Sequence, residues 1–228
     1  MSTTPAADFA IAVLVSGGGT NLQAIIDATV SGDIPGKICL VASDNPDAYG
    51  LERANQAGIP TGVLEAAGFE SHSDYDRALV ELVARSQPQL VTLAGFMRIL
   101  GAEFVDAFRG RILNIHPALL PRHRGLNTHR RALEGGDSEH GASVHFVTEE
   151  LDAGPVVLQA RVPVLADDDP ERLAARVLDK EHVIYPLAVR WFAEGRLHMK
   201  GAKPWLDQVA LDGPKILDEL SPAEYEMQ

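Results

Sequence analysis

The sequence predicts an α/β fold: a mostly parallel, doubly wound (Rossmann-like) sheet with helices on both faces and an antiparallel strand element toward the C-terminal half. Three observations lead to this prediction. Apolar runs of strand length alternate with segments of helical periodicity through the first half of the chain. A glycine-rich turn at 16–21 follows the first run, as in sheets that bind ligands at the carboxyl ends of their strands. Beyond Pro117, two β-rich runs follow each other without a helix between them.

Five strands and three helices alternate through the first half. The run Phe9–Val15 (FAIAVLV) is continuous and apolar, as expected of a parallel strand that is buried on both faces. Gly58 ends the second helix, because glycine readily adopts the left-handed conformation found at helix C-termini. The predicted strands are 9–15, 38–42, 61–64, 90–94 and 111–115, and the predicted helices are 22–30, 48–57 and 74–86.

The second half departs from this alternation. The elements predicted there are a short helix at 128–133, strands at 142–148 and 156–164, and a long helix at 171–193. We expect the two strands to form a hairpin-type antiparallel pair at the edge of the sheet. Since no linker divides the chain, we predict one domain over residues 1–228, with 1–9 as a disordered tail and 207–228 as a C-terminal extension.

Composition limits the possible partners. The 228 residues include 20 basic and 32 acidic side chains, a net charge of −12, which argues against a nucleic-acid-binding surface. No apolar run approaches the roughly 18 residues of a membrane span, and residues 1–9 lack the features of a signal peptide. The single cysteine, Cys39, lies in an apolar run, where we expect a buried and unreactive thiol. These features predict a cytoplasmic protein that acts on small molecules.

The segment Leu113–Pro117 (LNIHP) is the first candidate for chemistry. Alternate side chains of a strand share a face, so Asn114 and His116 lie together, and Pro117 ends the strand. An amide and an imidazole on one face can stabilise an oxyanion that develops on a carbonyl. Asp152, in the motif LDAGP, would favour the imidazolium form of His116, with an Asx-type turn residue as the other interpretation.

Other catalytic chemistries find little support. With one cysteine and no His-Glu-x-x-His motif, the sequence predicts no metal site. It also lacks a Gly-x-Ser-x-Gly turn, which favours direct attack by a substrate amine over an acyl-enzyme. Among the other histidines, we expect His123, His140 and His198 to face solvent and His145 to be a partly buried strand residue.

Two further segments suit ligands. Ser16–Asn21 (SGGGTN) joins a strand to a helix, where backbone amides and the helix dipole favour an anion. It lacks the Gly-Lys-Ser/Thr of a P-loop, and Leu22 replaces the third glycine of a dinucleotide-binding motif, so a single phosphate fits best. A tight structural turn is the other interpretation. Gly95–Leu100 (GFMRIL) is either an apolar wall with one cation for a flat heteroaromatic ligand or a helix start.

Taken together, these motifs resemble those of the folate-dependent phosphoribosylglycinamide formyltransferases of purine synthesis. The similarity runs from about residue 11 to residue 206 and is specific, because several motifs occur in the same order and with the same spacing. The motifs are SGGGTNLQ (16–23), LAGFMRIL (93–100), LNIHPALLP (113–121), HGASVHFVT (140–148) and LDAGPV (151–156).

The resemblance implies three groups of site residues. The catalytic group, which stabilises the oxyanion and relays a proton from the attacking amine toward N10 of the folate, is Asn114, His116 and Asp152. The group that holds the substrate phosphate and ribose is Gly19, Thr20, Asn21 and Glu181. The group that binds the cosubstrate 10-formyltetrahydrofolate is Met97, Arg98, Ile99, Leu100 and His72. The resemblance implies no metal.

Two positions depart from the family pattern. His72 replaces an arginine that often meets the carboxylate of the folate tail, and Asn127 replaces a histidine that is common near the catalytic loop. We expect a monomer or a homodimer.

Three other functions stay open at this point. A 10-formyltetrahydrofolate hydrolase shares the catalytic core but carries an extra N-terminal domain, for which the first strand at Phe9 leaves no room. A methionyl-tRNA formyltransferase needs an added C-terminal domain and a basic surface, which we do not find. A non-catalytic module that binds a phosphate ligand would use Asn114 and His116 for structure only.

Overall fold

The structure is a computed structural model that describes residues 9–225, so the predicted tail at 1–9 lies, apart from Phe9, outside the described residues. The elements in chain order are β1 (Ala10–Val15), α1 (Thr20–Ser31), β2 (Lys37–Ser43), α2 (Tyr49–Gln56), β3 (Thr61–Val63), α3 (His72–Ala84), β4 (Leu90–Leu93), α4 (Ala102–Ala107), β5 (Ile112–His116), α5 (Thr128–Glu134), β6 (Glu139–Phe146), β7 (Val156–Pro163), α6 (Pro170–Ala193), β8 (Leu197–Lys200), β9 (Lys203–Leu206), β10 (Val209–Ala210), β11 (Lys215–Ile216) and α7 (Pro222–Tyr225).

The main sheet has eight strands in the order β11-β7-β6-β5-β4-β1-β2-β3. All neighbours are parallel except β6, which runs antiparallel to both β5 and β7. A second, three-stranded antiparallel sheet is formed by β8, β9 and β10. The predicted fold class is therefore confirmed. The expected edge position of the antiparallel pair is wrong, because β11 adds a parallel strand beside β7.

Helices cover both faces of the sheet, as alternation along β1 requires. Ile11, Val13 and Val15 join the apolar cluster under α1, α2 and α6, whereas Ala12 and Leu14 join the cluster under α3 and α4. All six residues of β1 are buried, which accounts for its continuous apolar sequence. Cys39, expected to be buried, is only half-buried in β2, near the edge of the sheet.

Local signals explain where the helices begin. Ser71 caps α3 by accepting a hydrogen bond from the backbone N–H of Asp74, and Asp169 caps α6 through Arg172 in the same way. Pro170 then occupies the first turn of α6, where a missing N–H costs nothing. No helix among residues 9–225 has the length and apolar character needed to cross a membrane.

The carboxyl ends of β1, β4 and β5, which are neighbours in the sheet, form one rim. Ser16, just after β1, ties the first two ends together: its backbone N–H donates to the carbonyl of Gly95 at 3.0 Å, and its Oγ accepts from the backbone N–H of Met97 at 2.8 Å. Strand order reverses between β1 and β4, and such a reversal is where open α/β sheets place ligands.

Candidate active site

His116 and Asp152 meet at the end of β5. The imidazole Nδ1 lies 3.4 Å from Asp152 Oδ2, and both side chains are less than one-tenth exposed (7% and 8%). The same Oδ2 accepts a hydrogen bond from the backbone N–H of Gly125 at 2.9 Å, which fixes the carboxylate. Asp152 itself has a left-handed backbone (φ +50°), so its loop turns sharply toward the strand end.

The second imidazole nitrogen is also engaged. His116 Nε2 lies 3.0 Å from the backbone carbonyl of His123, in the loop between β5 and α5. Because a carbonyl only accepts, Nε2 carries a proton in this arrangement. Nδ1 is therefore the nitrogen that faces Asp152.

Asn114 is oriented by His145, its partner across the β5–β6 ladder. His145 Nδ1 donates to the carbonyl of Phe146 at 3.0 Å, so Nε2 accepts from the amide Nδ2 of Asn114 at 3.0 Å. Burial lowers the pKa of His145 to about 4, which keeps its ring neutral and accepting near neutral pH. One N–H of the Asn114 amide is thereby used, and the other has no hydrogen-bond partner among residues 9–225.

His145 is a site residue that sequence reasoning missed, since it was expected only as a partly buried strand residue. It lies 3.7 Å from Asp152 Oδ1 as well as against Asn114. The sequence signal was the alternation of polar Ser143 and His145 with apolar Ala142, Val144 and Phe146 along the strand. That signal points to a function only once the β5–β6 register is known.

The predicted solvent-facing position of His140 is wrong. This residue is 1% exposed, and its Nε2 lies 3.2 Å from Nδ1 of His129 on α5. Burial, together with the neighbouring His129, lowers the pKa of His140 to about 4. His123 is also mostly covered, with a 14% exposed side chain, because its ring is held by Asp137.

The glycine-rich turn leads directly into α1, so Thr20 and Asn21 belong to its first turn. Gly19 has φ +67°, and a Cβ at this position would lie 2.7 Å from the Cα of Gly50. Only glycine fits this close approach between the turn and α2. Arg53 of α2, which the sequence reading missed, donates from Nε to the carbonyl of Gly18 at 2.8 Å and brings a cation to the turn.

Asn21 and Glu181 form a buried pair across 160 residues of sequence. Asn21 Nδ2 donates to Glu181 Oε2 at 2.6 Å. Burial raises the pKa of Glu181, and the hydrogen bond from Asn21 offsets part of that effect. Asn21 Oδ1 is buried and finds no hydrogen-bond partner within the described part of the chain, so one acceptor of this pair is left unsatisfied.

An open cleft lies against Asn114, His145 and Asp152. Its lining combines apolar side chains with Asn114, His145, Asp152 and other polar groups; the remaining lining residues are Leu93, Phe96, Arg98, Ile99, Leu100, Val147, Thr148, Glu149, Glu150 and Leu151. The guanidinium of Arg98 lies over the ring of Tyr75 at 4.6 Å. Its Nε is buried without a hydrogen-bond partner among residues 9–225, so the cleft offers an unused donor.

Met97 and His72 take different positions from the rest of their predicted group. The Met97 side chain is exposed and outside the cleft lining, although its backbone N–H binds Ser16. His72 Nε2 lies 2.9 Å from the carbonyl of Ile99, and its Nδ1 lies 3.4 Å from the buried Asp76. His72 therefore supports the 97–100 loop from behind. This segment is a loop, since α4 begins only at Ala102.

Within the described residues, no group of three or more His, Cys, Asp or Glu side chains is arranged to bind a metal ion.

The model of the formyl transferase family matches residues 9–189. The chain belongs to the formyl transferase family. It is 57% identical over 197 residues to the phosphoribosylglycinamide formyltransferase of Escherichia coli, covering 86% of this chain and 93% of that protein. The Haemophilus influenzae enzyme of the same name is 52% identical over 201 residues, 88% of this chain and 95% of that one.

Solved structures agree with this formyltransferase assignment. The phosphoribosylglycinamide formyltransferase of Coxiella burnetii has a TM-score of 0.87 and 47% identity, covering 91% of this chain and 99% of that chain. The comparisons confirm the predicted family, the predicted fold and the prediction of an enzyme that transfers formyl groups in purine biosynthesis. Family membership also implies a formyl donor derived from folate.

Proposed function

We propose that this formyltransferase moves the formyl group of 10-formyltetrahydrofolate to the amine of N1-(5-phospho-D-ribosyl)glycinamide. The observation that carries the proposal is that Asp152 lies against both His116 and His145, the partner of Asn114, beside a cleft lined by Asn114, His145 and Asp152. The glycine-rich turn, two strands away on the same rim, supports a phosphorylated acceptor. The bacterial relatives are named for the same acceptor.

The cleft suits the pteridine end of a folate. Flat ligands are bound between apolar walls by convergent polar groups, and this cleft offers both kinds of side chain. Arg98, with its buried and unpartnered Nε, and the backbone of the 97–100 loop supply polar contacts. Ile99 and Leu100 supply apolar surface, and His72 and Met97 contribute by holding the loop.

The turn after β1 suits the phosphate and ribose of the acceptor. Gly19, Thr20 and Asn21 present backbone N–H groups at the N-terminus of a twelve-residue helix. Arg53 adds a positive charge beside them. Glu181, held by Asn21, is the acceptor that we assign to a ribose hydroxyl.

The reaction begins when the acceptor amine forms a bond to the formyl carbon and the carbonyl electron pair moves onto oxygen. The second N–H of Asn114 and the Nδ1–H of His116, which is the imidazolium in this step, stabilise that oxyanion, while His145 and His123 hold both donors in place. No covalent enzyme intermediate is required.

Collapse of the tetrahedral species breaks the bond between the formyl carbon and N10, and the electron pair leaves on N10. The attacking nitrogen loses one proton and N10 gains one, so a single proton relay balances the step. Asp152 lies 3.4 Å from His116 Nδ1 and is the group that passes this proton. His116 returns to its starting protonation state.

We also propose a cytoplasmic enzyme that works as a monomer or homodimer on small molecules, without a nucleic-acid or membrane partner. The net charge of −12 supports the absence of a nucleic-acid surface.

A two-substrate assay tests the proposal. Purified protein with both substrates should change the folate absorbance, and His116→Ala should lower kcat by about 10²–10³-fold while the fold is kept. His198→Ala, on β8 in the second sheet, is the control and should leave kcat unchanged. Turnover that does not need the amine substrate would instead indicate a hydrolase, and unchanged kcat in His116→Ala would refute the assigned site.

A further inference from the structure

The loop between β5 and α5 supplies the group that orients His116. In this loop, at residues 117–127, the backbone carbonyl of His123 accepts the Nε2 proton of His116 at 3.0 Å. If this carbonyl moves, Nε2 loses its partner and only the contact between Nδ1 and Asp152, at 3.4 Å, still orients the imidazole. The position of one backbone atom in a surface loop is therefore one of the two constraints on the His116 ring.

One buried carboxylate holds that part of the loop. Asp137 Oδ2 accepts from Nε2 of His123 at 2.7 Å, and Oδ1 pairs with Arg122, the preceding residue. The Asp137 side chain is only 5% exposed. Its own backbone N–H donates to the carbonyl of Ala132 in α5 at 3.1 Å, so the carboxylate is anchored on the α5–β6 turn and not on the loop.

The backbone of His123 shows that this anchoring is needed. Its φ is +55°, a left-handed conformation that L-residues other than glycine adopt rarely. The side chain is fastened to Asp137 and the carbonyl to His116, so both ends of the residue are held while the backbone stays in this conformation. A free loop would relax away from it.

Asp137 remains ionised in this setting. Burial opposes ionisation, but the hydrogen bond from His123 and the charge of Arg122 outweigh it and hold the pKa of Asp137 below its usual range. The carboxylate thus accepts from both loop residues at neutral pH.

We infer that Asp137 is a positioning residue of the active site: through His123, it fixes the loop carbonyl that orients the His116 imidazole. The inference rests on the catalytic role proposed for His116. Asp137 lies 21 positions from His116 in the sequence, and the inference gives it no contact with either substrate.

Asp137→Ala tests the inference by two readouts. We expect kcat to fall by about 10–100-fold, since small displacements of a reacting group have effects of this size, with the KM for each substrate changing less. Nuclear magnetic resonance of 15N-histidine-labelled protein should show that the neutral His116 ring of the variant no longer has its proton on Nε2 alone, the form expected in the parent. Asp137→Asn, whose amide oxygen still accepts from His123, should recover part of kcat.

Two further variants separate this effect from general damage. Arg124→Ala breaks the exposed Arg124–Glu150 pair of the same loop, 2.7 Å long, and should keep kcat within about twofold. His123→Gly keeps the left-handed backbone but removes the ring that binds Asp137, so it should reproduce the Asp137→Ala defect even if that variant does not fold.

The outcomes distinguish the inference from the proposed function. Parent-like kcat and parent-like His116 nitrogen signals in folded Asp137→Ala, or in His123→Gly, would overturn the inference. An active His116→Ala enzyme would overturn the catalytic role itself, whatever Asp137→Ala shows. A defective His116→Ala together with an unaffected Asp137→Ala would refute the inference alone.

Discussion

Gly19→Ala should be one of the most damaging small substitutions in the glycine-rich turn. Its φ of +67° costs a residue with a Cβ about 1–2 kcal/mol. The added carbon would also lie 2.7 Å from the Cα of Gly50, a backbone atom that cannot rotate away, and overpacking of this kind costs about 1–3 kcal/mol. The sum, about 2–5 kcal/mol, is a large part of the about 5–15 kcal/mol that stabilises a typical domain.

Urea unfolding followed by circular dichroism measures the loss of stability in Gly19→Ala, and steady-state kinetics measure its effect on binding of the phosphorylated amine. The unfolding midpoint should fall, and the KM for the phosphorylated amine should rise, because relief of the overlap moves the amides of Thr20 and Asn21. The KM for the folate should stay near that of the parent, since the cleft lies beyond β4.

Gly18→Ala is the matched control. A Cβ at Gly18 meets no atom within 4 Å, and this residue is outside the left-handed region. We expect a change of at most about 0.5 kcal/mol, as at other open surface positions. Equal midpoints for the Gly18 and Gly19 variants would refute the close approach to Gly50. A destabilised Gly19 variant with an unchanged KM for the amine would refute phosphate binding at the turn.

Two other predictions concern stability. Gly154→Ala should lower both the unfolding midpoint and kcat, because its Cβ would overlap the carbonyl oxygen of Phe146 and displace the Asp152 loop; a midpoint equal to that of Gly213→Ala, where the space is open, would contradict this. The pKa of His140 is lowered to about 4 in the folded protein, so between about pH 4 and 6.5 this residue binds a proton when the protein unfolds. Its contribution to the free energy of unfolding is therefore complete above pH 6.5 and declines as the pH falls toward 4. The free energy of unfolding, measured with urea at pH 4.5, 5.5 and 6.5, should fall less steeply with decreasing pH in His140→Gln than in the parent, by up to about 1.4 kcal/mol per pH unit. Equal slopes in the two proteins would contradict this prediction.

The rim of the site could be predicted because its signals are local. Alternation places Asn114 and His116 on one face, Pro117 ends the strand, and glycines mark the turn after β1. Parallel strands end at a common edge, so these short segments had to lie near one another. The meeting of His116 with Asp152 needed the family resemblance, since 36 residues separate them.

The sequence analysis missed α4, β11 and the position of Arg53, because local patterns reveal none of them. The helix α4 has six residues and no side-chain cap, so its sequence carries little helical signal. The strand β11 has two residues and pairs with the middle of β7, which no local pattern announces. Arg53 approaches the glycine-rich turn from the next helix, and its role depends on the packing of Gly19 against Gly50.

The antiparallel direction of β6 explains why the rule for parallel sheets found only part of the site. Ser143 of β6 lies opposite His116, the last residue of β5, so residues 139–142 continue beyond the rim where a parallel strand would have ended. This extension and the turn before it carry His140 and Asp137, which form the wall against which the loop at 117–127 rests. A purely parallel sheet would leave that loop without a support behind it. The single antiparallel strand therefore turns an open rim into a site whose imidazole can be held from two sides.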